Sequence, residues 1–360
     1  MNLLSKVTLV IFTYNRPEYV MRTMRYWSEK NVNVLVMDGS NKPLDEGFIK
    51  NFNKKTKYIY YPSSLCDRIA KSLDLFDTEF VLFHGDDEFF SPEAIELCIR
   101  ELEKDKELVS CMGHCILFEE SNEFLMARKH YPNLIGYKIY EKSPIERMVK
   151  HMQNYEQSTI YGVTRTTVWK NAMKLVSNHK LSVYAIEEYI FEMAVAFMGK
   201  SKVIPVLYWF RSNENSSINP STNRFNIWWK RKNNEEKFLF INYFTEGLSK
   251  LSNIDKKTIE FGVIKAGDAF TIWSNKLKIG FEPDLTPNIF KRLFYFIKFK
   301  INRVYTFFFI DNTQEINKKI NYPISELVNQ LKFDGVMLNE NEITEISNIV
   351  LNFHNRKPIF

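Results

Sequence analysis

Glu79-Phe-Val-Leu-Phe-His-Gly-Asp-Asp-Glu88, followed closely by Ser91-Pro92-Glu93, decides the fold. Glu79–Phe83 reads as a short strand buried on both faces. It ends in a glycine and three consecutive carboxylates. Ser91 then has N-cap chemistry and Pro92 suits a first helical position, so a helix begins there. The same grammar runs upstream. Val7–Phe12 is a strand broken by Asn15-Arg-Pro17, and Val20, Met24 and Trp27 follow at helical spacing. Val32–Met37 is a strand closed by Asp38-Gly-Ser40, and Lys57–Tyr61 is a strand closed by Pro62. Leu65–Leu75 reads as a helix and Leu108–Leu117 as a fifth strand.

Strands alternating with helices imply βαβ units and a mostly parallel α/β sheet. Ligands of such sheets bind beyond the carboxyl ends of the strands. The polar clusters Thr13-Tyr-Asn-Arg16, Asp38-Gly-Ser40 and Gly85-Asp-Asp-Glu88 all lie at those ends. Each alone is a turn; three together make a crevice.

Further on, Ser143–Met152, Thr167–Leu175 and Glu187–Phe197 read as helices. Ser158–Val163 and Lys202–Phe210 read as strands. A polar stretch from Arg211 to Asn223 has linker composition, which places a boundary near residue 215. Two parts are expected: an α/β domain over 1–215 and a mostly helical accessory domain over 216–360.

Composition sets bounds. With 360 residues, 45% apolar and 26% charged, the chain is globular rather than fibrous or disordered. No apolar run is long enough to span a bilayer, and no secretion signal is read at the N-terminus. Four cysteines suit a reducing, cytoplasmic setting. Cys111-Met-Gly-His114-Cys115 lacks the four ligands of a structural zinc site and reads as core. The net charge of +6 favours anionic partners.

Chemistry follows from the strand ends. Clustered carboxylates repel one another, and Mg²⁺ or Mn²⁺ with substrate phosphates in its shell would explain Asp86, Asp87 and Glu88. A solvated acidic loop is the alternative. Asp38 suits a hydrogen bond to a base or ribose, or else an Asx turn. Over 287–310, aromatic and aliphatic residues at helical spacing interleave with lysines and arginines. That pattern fits a helix at a membrane interface, or one packed on the domain or on a second subunit. No nucleic-acid motif accompanies it.

The motifs after strands one, two and four resemble those of GT-A-fold glycosyltransferases of the family 2 type, over roughly the first 215 residues. Ile186-Glu187-Glu188-Tyr189, followed by Gly199 and a strand ending in Arg211, resembles that family's acidic-pair helix. Tyr161-Gly-Val-Thr-Arg165 resembles its acceptor-side strand. The resemblance implies inverting transfer from a nucleotide-sugar to a hydroxyl of a glycan or lipid-linked glycan, at the inner face of a bacterial membrane. It places the nucleotide-sugar on Thr13, Tyr14, Asn15, Arg16, Asp38, Arg68, His84, Gly85, Asp86 and Asp87. It puts the metal on Asp86 and Glu88, the general base at Glu188 or Glu187, and the acceptor beside Tyr161 and Arg211. His84 departs from the family's usual Asp-x-Asp and is expected on ribose or phosphate instead. Two other readings are carried: a non-catalytic module of the same fold, and a sugar-nucleotide pyrophosphorylase, disfavoured by the absence of a glycine-rich loop after strand one.

Overall fold

A computed structural model describes residues 2–52, 55–156, 158–177, 185–215, 225–231, 235–276 and 321–355. The chain runs β1 (Val7–Thr13), α1 (Pro17–Ser28), β2 (Asn33–Asp38), α2 (Glu46–Lys50), β3 (Thr56–Tyr60), α3 (Leu65–Ser72), β4 (Phe80–His84) and β5 (Phe89–Phe90). It continues through α4 (Pro92–Lys104), β6 (Leu108–Ser121), β7 (Phe124–His130), β8 (Lys138–Ile139), α5 (Pro144–Gln153), β9 (Val163–Arg165), α6 (Thr166–Ser177), α7 (Ala185–Met198) and β10 (Lys200–Ser212). It closes with α8 (Phe225–Lys230), α9 (Glu235–Ser249), α10 (Lys256–Lys276), β11 (Tyr322–Pro323), α11 (Ile324–Phe333) and α12 (Glu340–His354).

One sheet holds these strands in the order β11-β7-β6-β9-β4-β1-β2-β3, with β10 beside β6. β1 is parallel to β2 and to β4, and β2 is parallel to β3. The register matters for the site: Thr13 pairs with Asp38, and Asp38 with Tyr60, so the polar ends finish level. Alternation along β1 explains its continuous apolar run. Val7, Leu9 and Ile11 enter one core, while Val10 enters the other.

The helices start where the caps predict. Ser91 Oγ accepts from Ala94 N at 3.1 Å with Pro92 at the first turn, and Ser64 Oγ accepts from Asp67 N. All four cysteines are buried and none forms a disulfide, Cys111 and Cys115 among them.

One expectation changes. Ser158–Val163 is not a strand over its length; only Val163–Arg165 pairs. The buried Glu192 carboxylate accepts from the backbone N–H of Thr159 and Ile160 at 3.1–3.2 Å. Those donors are satisfied without a neighbouring strand, and the chain turns instead. Past residue 215 the composition and the element types change. Among the described residues, Phe225, Trp228, Trp229, Phe240 and Phe270 join the core of α5, α6 and α7. Leu327, Leu331, Ile346 and Val350 join the core on the opposite face. The basic aromatic run at 287–310 lies outside the described residues. No helix among the described residues is long and apolar enough to cross a membrane.

Candidate active site

The ends of β1, β2 and β3 and the start of α3 enclose an open cavity of about 510 Å³, lined by Tyr14, Gly39, Asn41, Ser64, Leu65 and Arg68, among others. The floor is stitched by backbone and side chain. Gly39 N donates to Thr13 O at 3.0 Å. Asn15, with φ of +54°, donates from its N–H to Ser40 Oγ at 2.8 Å and accepts from Asn41 N at 3.0 Å. A non-glycine residue held in the left-handed region is a mark of a constrained site. Arg68 is 5% exposed and donates from Nη1 to the carbonyls of Thr13 and Met37 at 2.6 and 3.0 Å. A Cβ at position 39 would stand 2.6 Å from Arg68 Nε, so this floor requires glycine.

Two residues expected to touch the nucleotide are spent on that floor. Asp38 forms the Asx turn: Oδ1 accepts from Ser40 N at 2.8 Å and Oδ2 from Tyr58 Oη at 2.6 Å. Thr13 is buried, and its hydroxyl donates to Asp86 Oδ2 at 2.8 Å. Tyr14, 56% exposed, and Arg68 do line the cavity. The Ser63-Ser64 corner was not anticipated as lining, although Ser64 carries a recognisable cap signal.

His84, expected on ribose or phosphate, lies in the core. It is fully buried, its Nε2 accepts from Trp27 Nε1 at 3.0 Å, and its Nδ1 donates to Gly85 O at 2.6 Å. Both ring nitrogens are engaged within the chain. Burial lowers its pKa to about 4. The native state thus favours the neutral ring, whose contribution is present above the unfolded value of 6.5 and is lost as pH falls through 4. That shift corresponds to about 3 kcal/mol. Denaturant unfolding followed from pH 7 to pH 4 is expected to show this loss, and His84→Gln is expected to remove it from the profile.

The acidic corner is also tied down by the chain. Asp86 accepts from Thr13 and, at Oδ1, from Arg16 Nη1 at 3.2 Å. Asp87 accepts from Arg16 Nη1 at 3.4 Å and Asn215 Nδ2 at 2.6 Å. Glu88 faces away from the other two: Oε2 accepts from Trp209 Nε1 at 2.9 Å. Burial, then the charge of Asp87, pushes Glu88 up to about 8. Among the described residues, no three His, Cys, Asp or Glu side chains gather as a metal site. The carboxylates expected to hold Mg²⁺ or Mn²⁺ accept from Thr13, Arg16, Asn215 and Trp209 in the structure.

Trp209 leads into a second wall. Its ring stacks on Tyr161 at 4.2 Å and on Tyr131 at 5.8 Å, and the Arg211 guanidinium lies over both Tyr131 and Trp209. Tyr131 is itself left-handed, with φ of +51°. Arg211 Nη1 donates to His130 Nε2 at 3.1 Å and to Tyr131 Oη. Tyr161 lies between two acids: burial first, then the charges of Glu88 and Glu188, hold its hydroxyl well above its usual pKa.

Glu187 and Glu188 open α7, where the helix dipole favours acids. They point differently. Glu187 accepts from Cys66 Sγ on α3 at 3.4 Å. Glu188 accepts from Tyr155 Oη and faces the tyrosine wall. The sequence left the two equivalent; the helix phase separates them.

Residues 8–144 match the model of glycosyl transferase family 2. No curated protein matches the chain. Among solved structures, S. aureus TarS residues 1–349 is 14% identical with a TM-score of 0.40, covering 77% of this chain and 92% of that one. The same protein in complex with UDP-GlcNAc is 12% identical with a TM-score of 0.43, over 76% and 92%. A longer S. aureus TarS structure is 14% identical with a TM-score of 0.40, and its alignment spans 55% of that chain.

Proposed function

We propose that this chain, whose residues 8–144 are a family 2-like glycosyltransferase domain, moves a sugar from a nucleotide-sugar donor to a hydroxyl of a glycan or lipid-linked glycan, with inversion. The observation that carries the reading is the polar cavity of about 510 Å³ beyond the ends of β1–β3, within the size range of small-ligand sites.

The nucleoside lies against Tyr14, Gly39, Asn41, Ser64 and Arg68. The diphosphate points toward the mouth where α1 begins, an end whose dipole favours anions. The sugar and acceptor lie along Tyr161 and Tyr131, whose rings suit pyranose faces and are backed by the buried Trp209. Glu188 takes the proton of the acceptor hydroxyl as its oxygen bonds to the anomeric carbon. The bond from that carbon to the diphosphate breaks on the opposite face, and the nucleoside diphosphate leaves with the electron pair. A positioned base contributes about 10²–10⁴-fold. The basic aromatic run at 287–310 favours a lipid-linked acceptor, because such a sequence suits an anionic membrane surface.

The test is a panel of UDP-, GDP-, CDP- and dTDP-sugars, offered with glycan and lipid-linked acceptors and read by nucleotide release. Release from one donor class is expected. A chain that consumes none of them, and whose unfolding none of the nucleotides delays, overturns the reading.

A further inference from the structure

Arg16 stands at the N-cap of α1 and is held there by Pro17 at the first helical position. Its guanidinium meets the buried Asp86 and the largely buried Asp87, at Oδ1 at 3.2 Å and Oδ2 at 3.4 Å. Both contacts use Nη1 alone. The side chain is 33% exposed, so Nη2 and Nε remain for a ligand at the mouth of the cavity. The three acids have further partners within the chain. Asp86 Oδ2 is held by Thr13, Asp87 Oδ2 is shared with Asn215, and Glu88 is turned to Trp209. A divalent ion bridging Asp86 and Asp87 through the oxygens they turn to Arg16 would have to displace that guanidinium.

We infer that Arg16 is the resident cation of the donor site, neutralising Asp86 and Asp87 and meeting the diphosphate of the nucleotide, so that donor binding needs no metal. A guanidinium is suited to this, because it is always charged and presents five donors in a planar fork that matches phosphate oxygens. The inference rests on the nucleotide-sugar reading above and adds how that site handles charge.

The full-length chain is titrated with UDP, GDP and CDP, each in EDTA and in Mn²⁺, by calorimetry, and the titrations are repeated on Arg16→Ala and Arg16→Lys. Wild type is expected to bind one nucleotide equally well in EDTA and in Mn²⁺. Arg16→Ala is expected to weaken it roughly 10- to 100-fold, the worth of charge-assisted hydrogen bonds, and Arg16→Lys to fall between. Binding by wild type that disappears in EDTA and returns with Mn²⁺ overturns the inference while leaving the nucleotide reading intact. So does an Arg16→Ala chain that binds like wild type. The EDTA arm needs no variant and decides the question even where a substitution impairs folding. Wild type that binds no nucleotide in either condition overturns both.

Discussion

Glu188→Gln is expected to lower sugar transfer by about 10²–10⁴-fold while leaving nucleotide affinity unchanged. Glutamine has the same shape, and its carbonyl still accepts the Tyr155 hydroxyl, so the wall of the site stays in place. What is lost is a group able to take a proton. Glu187→Gln supplies the control. Glu187 is turned to Cys66 on α3, and burial raises its pKa, so its replacement is expected to leave turnover near wild type. Steady-state kinetics beside nucleotide titrations read both variants. Equal losses in the two would mean that helix phase does not separate base from neighbour.

Arg22→Leu is expected to cost about 3–5 kcal/mol of stability, the loss seen when one member of a buried ion pair is removed. Arg22 is fully buried on α1, and its fork grips Glu214 at 2.7 and 2.9 Å. Nη2 also donates to Asp87 O at 2.8 Å, which ties the acidic corner to the loop after β10. Glu214 further accepts from Ser212 and from His354 on α12. Burial alone would raise its pKa, but the hydrogen bonds from His354 and Arg22 hold it at about 2. A depressed carboxylate contributes stability that is present above its unfolded value of 4.5 and lost as pH falls through 2. In Arg22→Leu the Glu214 charge stays buried with its principal partner gone. The double variant Arg22→Leu/Glu214→Gln is expected to recover part of the loss, because no uncompensated charge then remains. Denaturant unfolding of the three chains at neutral pH reads this. A single variant as stable as wild type would show that the pair contributes nothing net.

The parallel core was legible because its signals are local. The apolar runs of β1, β2 and β4, Pro17, and the Ser91-Pro92 cap each announce their element within a few residues. The hairpin of β6 and β7 was not, because its turn is built on Asn122 and Glu123, both at positive φ, without the glycine that usually marks such a turn. A cavity does lie at the strand ends, but the sequence does not show what each side chain touches there. Thr13, Asp38 and His84 have chemistry that suits a ligand, and only the fold reveals that Asp86, the Ser40 amide and Trp27 already claim them. The Arg22–Glu214–His354 cluster spans most of the chain length, and no local pattern could announce it. The choice between Glu187 and Glu188 required knowing which neighbours each finds around α7.

The central claim is that a nucleotide seats at the ends of β1, β2 and β3. Hydrogen exchange of the full-length chain, with and without the nucleoside diphosphate that binds, tests it most directly. Slowed exchange confined to residues 13–16, 38–41 and 62–68 is the predicted result. Protection that leaves these segments unchanged and falls instead on α9 and α10 would contradict the account.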